Sequence, residues 1–116
     1  MIKRSPAEFT QYEAPGHFGV KCERIHGKDE TNASKFWIGK STFEPGGGAE
    51  WAYEDNPLEK VYYVMRGQMT VTDPDGKVYK IGPGESISFP PNEGRGLKNE
   101  GDEEAEMLVI INYPEV

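Results

Sequence analysis

Side chains suited to covalent or metal chemistry are scarce in this chain, where one cysteine and two histidines stand among 20 acidic and 13 basic residues. Cys22 lies among Val20, Lys21, Glu23 and Arg24 with no base beside it, so it reads as a structural thiol and not a nucleophile. Being alone, it can form neither an internal disulfide nor a cysteine-built zinc site. The acids gather in two runs, Glu44 to Glu59 and Glu100 to Glu106. Runs of that kind normally stay in water as loop or rim charge. Within the first, Glu50, Glu54, Asp55 and Glu59 are close enough to propose an acidic site for a hard cation. Chance proximity in an acidic stretch accounts for them equally well.

The net charge of −7 argues against a nucleic-acid partner, which requires basic patches facing phosphates, and against an anionic membrane surface. Met1-Ile2-Lys3-Arg4-Ser5-Pro6 carries basic residues but no apolar run follows, so it does not read as a secretory signal. No stretch approaches the length of a membrane span. The sequon Asn32-Ala33-Ser34 is therefore expected to be idle, and the protein is expected to be cytoplasmic.

The elements that must position any site are short strands. At 116 residues the chain is one domain's worth, and its 14 glycines and 9 prolines are spread out as turns would be. Residues 1–30 read as an N-terminal arm carrying one strand around Gly19–Ile25, and residues 31–116 as a β-barrel. Phe36 to Phe43 is a strand by its aromatic and β-branched content, stopped by Glu44-Pro45-Gly46-Gly47-Gly48. Ala49 to Glu54 offers another short strand, and Lys60 to Met65 the strongest one. Gln68 to Thr72 and Lys77 to Ile81 flank the turn Asp73-Pro74-Asp75-Gly76. Glu85 to Phe89 is a strand, Pro90 to Gly94 a loop, and Glu106 to Tyr113 the last strand, apolar on both faces through Met107 to Ile111. Seven or eight strands without a convincing helix predict an all-β sandwich or barrel.

Turn chemistry separates the two. Gly48, five residues, Glu54, one residue, Asn56, three residues, Lys60, six residues and Gly67 form one spaced set. Gly84, five residues, Pro90-Pro91-Asn92, two residues, Arg95, three residues and Asn99 form a second. Together they resemble the two motifs of the cupin superfamily, in particular its small single-domain RmlC-like members. Pro45 to Gly48 and Tyr63 to Gly67 also look like the stretches that flank the first motif. The resemblance covers about half the chain and implies a cupin-type double-stranded β-helix, or jelly-roll barrel.

In metal-binding cupins, three histidines and a glutamate occupy the positions that are Glu54, Asn56, Arg95 and Lys60 here. Sliding the first motif by one residue offers Tyr53 and Asp55 instead, and neither register restores a histidine. His17 and His26 fall outside both motifs. Lysine and arginine are donors without a free lone pair near neutral pH, so the family's metal site is not expected to carry over, and no cofactor is expected. The resemblance points Lys60, and by alternation Tyr62 and Val64, into the barrel, with Arg95 entering from the second motif. Two buried cations need a counter-charge. One reading is a carboxylate ligand gripped by Lys60 and the bidentate fork of Arg95. Tyr62 then orients it, Trp51 or Tyr53 supplies an aromatic wall, Asn56 lies nearby, and Glu50 or Glu54 serves as a general base. The other reading is structural, with Lys60 paired to Glu54, Asp55 or Glu59. A Schiff-base role for Lys60 would need a dry pocket beside Arg95.

These readings make the chain either a metal-independent isomerase, lyase or hydrolase with Glu54, Lys60 and Tyr62 as catalytic candidates, or a metabolite-binding module without turnover. Small cupins commonly dimerise. The arm and the outward face of Val61, Tyr63 and Met65 make a homodimer the expected assembly.

Overall fold

A computed structural model describes residues 1–114. After a single 3-10 turn at Pro6–Glu8 come β1 (Thr10–Tyr12), β2 (His17–His26), one helical turn α1 (Lys28–Thr31) and the long β3 (Phe36–Ala52). Six strands follow: β4 (Lys60–Arg66), β5 (Met69–Thr72), β6 (Val78–Ile81), β7 (Ser86–Phe89), β8 (Arg95–Lys98) and β9 (Ala105–Asn112). The pairing order β6-β5-β8-β3-β9-β4-β7 is antiparallel throughout, with β2 on the free side of β3 and β1 on β2. The expected all-β jelly-roll barrel is what the chain forms. Among the described residues no helix is long and apolar enough to cross a membrane.

The barrel exists because β3 belongs to both of its walls. Phe36 to Phe43 pairs with β9, whereas Gly48 to Ala52 pairs with β8 on the other wall. The expected break at Glu44 to Gly48 is therefore not a break, and Ala49 to Glu54 is not a separate strand. Gly46 takes the left-handed φ of +84° that turns the strand without ending it. Gly47 and Gly48 have a different task. A Cβ on Gly47 would overlap the Gly19 carbonyl, and one on Gly48 the Leu97 carbonyl, because β3 is squeezed between β2 and β8.

Asn99, buried at the end of β8, fastens this crossing. Its amide nitrogen donates to the carbonyls of Phe43 (3.2 Å) and Glu103 (2.8 Å), and its side-chain oxygen accepts from Gly101 N–H at 3.0 Å. Asn92, where the family's second motif has glycine, sits at φ +62°, a conformation asparagine tolerates better than most residues.

Three further expectations change. β8 is a strand that the sequence reading leaves unassigned, because Arg-Gly-Leu-Lys has no alternation long enough to see. The short α1 was not expected either; Asn32 closes it at φ +59°. In β9 only Ala105, Met107, Val109 and Ile111 are buried, and Leu108 and Ile110 stay half-exposed because none of the described elements covers that face. The core proper is Phe43, Tyr62, Val64, Met69, Val71 and their neighbours inside the barrel.

Replacing Asn99 by Ala should lower the unfolding free energy by about 2–4 kcal/mol, since it strands buried carbonyls. Gly48→Ala should cost about 2 kcal/mol or more through backbone displacement. Gly76→Asn, at an open turn with φ +84° and nothing within 4 Å of the added Cβ, should stay within about 0.5 kcal/mol. Urea titrations of the three variants check this ranking.

Candidate functional site

β4 and β7 are paired neighbours, and the alternation of β4 sends Lys60, Tyr62 and Val64 inward. Arg95 opens β8 on the opposite wall and points into the same interior. Lys60 is 1% exposed and Arg95 is fully buried, so the two cations expected at these positions are both inside. Tyr53, one residue beyond the end of β3, brings its ring against both. Its centroid lies 4.0 Å from Lys60 Nζ and 4.8 Å from Arg95 Cζ. The Tyr53 backbone stands at φ +76°, a left-handed conformation costly for a residue with a side chain.

Arg95 is held firmly on one side and open on the other. Its Nε donates to the Tyr62 hydroxyl at 3.1 Å and its Nη1 to the Glu50 carbonyl at 3.0 Å. Nη2, though buried, has no partner. Lys60 Nζ is likewise buried and unbonded, touching only the Tyr53 and Phe89 rings. Among the described residues, no carboxylate lies within ion-pair distance of either cation. The structural pairing of Lys60 with Glu54, Asp55 or Glu59 is therefore not formed.

The local field follows from this arrangement. Burial first, and the Arg95 charge second, hold the Lys60 ammonium below the usual lysine value, against a smaller pull from Glu93. Burial raises the Tyr62 phenol, with the Arg95 charge and its hydrogen bond opposing. His17 is pushed down chiefly by burial and also by Arg95, which places it within reach of the same charge.

Other expected site residues lie elsewhere. A register shift between Ala49 and Ala52 turns both Glu50 and Trp51 outward, so Glu50 contributes its backbone carbonyl and not its side chain. Trp51 covers Gly94 on the outside and donates from Nε1 to Glu54 at 3.0 Å. Glu54 is exposed, so the burial that a general base would need is missing. It lines an outer depression of about 470 Å³ with Tyr53, Asp55 and Asn56. The Asn56 side-chain oxygen is occupied as an acceptor for Leu58 N–H at 2.9 Å. Of the two registers, only Tyr53 enters the barrel.

These groups do not fit the metal that the fold commonly carries. Two of the four positions hold cations, Glu54 faces solvent and Asn56 caps a turn. The quartet Glu50, Glu54, Asp55 and Glu59 does not replace them: among the described residues no three His, Cys, Asp or Glu side chains converge as metal ligands.

Sequence reading missed the cavity behind Tyr53. It measures about 240 Å³ and is bounded by Tyr12, His17, Arg24, Trp37 and Phe43, with Tyr53 and Tyr62 closing it. A signal for part of it was present. Trp37, Ser41 and Phe43 alternate on one face of β3, the face that turns into the barrel.

With this geometry in view, similarity to known proteins can be placed. The cupin domain family matches residues 39–111. A Mycobacterium tuberculosis protein named beta-D-galactosidase is 35% identical over 108 residues, 93% of this chain and 90% of that one. The polyketide cyclase RemF of Streptomyces resistomycificus superposes with TM-score 0.83 at 23% identity, covering 97% of this chain and 80% of the other. An RmlC-like cupin from Shewanella frigidimarina gives TM-score 0.75 at 16% identity, with 97% and 90% covered. At these identities the two structures speak for the fold alone, whereas the family match and the galactosidase-named relative speak for descent. The chain belongs to the cupin family.

Proposed function

We propose that the barrel binds a small carboxylate-bearing molecule whose anionic group takes the place of the Tyr53 ring between Lys60 and Arg95. The observation that carries this reading is the pair of buried donors, Lys60 Nζ and Arg95 Nη2, left without an acceptor while both cations pack against one aromatic ring. A ring face is worth about 2 kcal/mol to a desolvated cation. A carboxylate offers both cations charge-assisted hydrogen bonds, which are stronger. Tyr53 borders both the interior cavity and the outer depression, so its departure joins them and opens a path. Leaving φ +76° relieves backbone strain and offsets part of the lost ring contact.

In this reading the chemistry, where there is turnover, is metal-independent isomerisation or elimination. The Lys60 ammonium, protonated while it holds the carboxylate, and the neutral Tyr62 phenol, hydrogen-bonded to Arg95, are then the proton donors at the site. Glu54 is left at the mouth. A non-catalytic metabolite-binding role uses the same contacts without the proton transfers. The galactosidase-named relative supports a second reading, glycoside hydrolysis. That reaction calls on two carboxylates about 5–10 Å apart, for which Glu13, Glu54 and Glu93 are the acids near the cavity, the depression and Lys60. Hydrolysis of a chromogenic β-galactoside that survives Lys60→Met but is lost in a glutamate variant would favour it over the carboxylate reading. The proposal also places the protein in the cytoplasm, consistent with its single buried, unpaired Cys22.

A homodimer through the outer face of β4 and β9 belongs to the same proposal. Tyr63 and Phe36 are 40% and 51% exposed there, beside half-buried Val61, Leu108 and Ile110.

Lys60→Met should abolish binding of small carboxylates in calorimetry while stabilising the free protein by about 1–3 kcal/mol, because an unpaired buried cation is removed. Loss of stability with binding retained would defeat the proposal. The pH dependence has a definite sign. Because the folded state holds the Lys60 proton less tightly than the unfolded chain, free-protein stability should rise between the depressed Lys60 pKa and about 10.5. Carboxylate affinity should fall as pH rises through that depressed value, and binding should take up a proton there. Calorimetry in buffers of different ionisation heat reads the uptake, which Lys60→Met should remove. For the assembly, light scattering should give twice the chain mass, reduced to one chain by Tyr63→Glu.

A further inference from the structure

We infer that the interior cavity selects carboxylates that carry a planar aromatic ring, with Tyr12 and Trp37 as the residues that set this preference. The inference rests on the carboxylate reading above and adds the body of the molecule to its head group. Neither residue belongs to the cupin motifs.

Five aromatic side chains, Tyr12, Trp37, Phe43, Tyr53 and Tyr62, border a space of about 240 Å³. That is about eight water volumes, room for one substituted six-membered ring. Tyr12 and Trp37 meet edge to face, with centroids 5.8 Å apart and planes at 89°. The Arg24 guanidinium lies 4.6 Å from the Tyr12 centroid and 4.9 Å from that of Trp37, bracing both rings from one side. A wall so braced is preorganised, and the affinity it supplies is not spent on ordering side chains. Arg24 is a positioning residue here through its contacts with both rings, and its buried Nε makes no hydrogen bond. Burial drives the Tyr12 phenol far up, so the two rings carry no charge, and Glu13 is the acid that lines the cavity. The other side of the cavity is aliphatic, with Leu97, Met107, Val109 and Ile111. A flat ring can lie along these side chains while presenting its edge or face to the aromatic wall. A saturated ring of the same carbon count is thicker and has no π-face to offer.

Trp37 is one of two tryptophans, so Trp51→Phe leaves it as the sole tryptophan, placed at the cavity and excitable apart from the tyrosines. In that background, phenylacetate, cyclohexylacetate and 2-phenylethanol are titrated by fluorescence and by calorimetry. Phenylacetate should bind about fivefold to tenfold more tightly than cyclohexylacetate, the range expected of specific ring–ring contact. Calorimetry on otherwise native protein should show Trp37→Leu erasing that ratio while cyclohexylacetate still binds, and Trp37→Phe preserving it. Tyr12→Leu should reduce the ratio independently should the Trp37 variants fold poorly. Equal affinity for the two acids, both lost in Lys60→Met, would overturn the ring preference and leave the carboxylate site standing. Binding of 2-phenylethanol as tight as phenylacetate would instead remove the carboxylate reading and retain the ring. Failure of all three to bind overturns the inference.

Discussion

Two positive charges buried against one tyrosine ring, with no acid paired to either, set the terms for the rest of this molecule. Burying an unpaired cation is among the costlier choices a fold can make. Here the cost is borne by walls that leave Lys60 and Arg95 nowhere else to go: Lys60 is fixed by the alternation of β4 and Arg95 by bonds to Tyr62 and to the Glu50 carbonyl. Such an arrangement is poor as scaffolding, where apolar side chains would serve better. As a receptor for an acceptor-rich ligand it is well prepared, because the donors are already desolvated and oriented.

The barrel supplies this preparation through the path of one strand. Since β3 pairs first with β9 and then with β8, its far end delivers Tyr53 into the interior at the level of Lys60 and Arg95. Glycines at 47 and 48 and the buried Asn99 make that crossing possible, which is why residues of the family motif serve geometry here although the ligand set has changed. The same crossing turns Trp51 and Glu54 outward. A one-residue irregularity between Ala49 and Ala52 thus separates residues that face the barrel interior from residues that face water.

In the proposed site the groups on offer are proton-donating side chains and aromatic surface. A site built from ammonium, guanidinium and phenol groups favours anionic substrates and the stabilisation of developing negative charge. The cavity beyond it adds shape, and the Tyr53 ring stands where the two meet.

Much of this was legible in the residues themselves. Strand alternation and turn residues revealed an all-β chain, and the resemblance to the cupin motifs from Gly48 to Asn99 implied the barrel and the inward direction of Lys60 and Arg95. Local pattern suffices for the strands because alternation and turn formation are short-range. What it could not reveal are contacts set by the way distant strands meet. The continuity of β3 through Pro45-Gly46-Gly47-Gly48 depends on Gly19 and Leu97 pressing from both sides, so a sequence that reads as a break becomes a crossing. The choice between Tyr53 and Glu54 as the inward residue depends on a register shift against β8. The union of Tyr12, Arg24 and Trp37 with Tyr62 depends on β2 folding across β3. Sequence alone determined which side chains this barrel possesses and which way most of its strands face; tertiary structure decided which of them share one cavity, because only the packing of distant strands brings their side chains together.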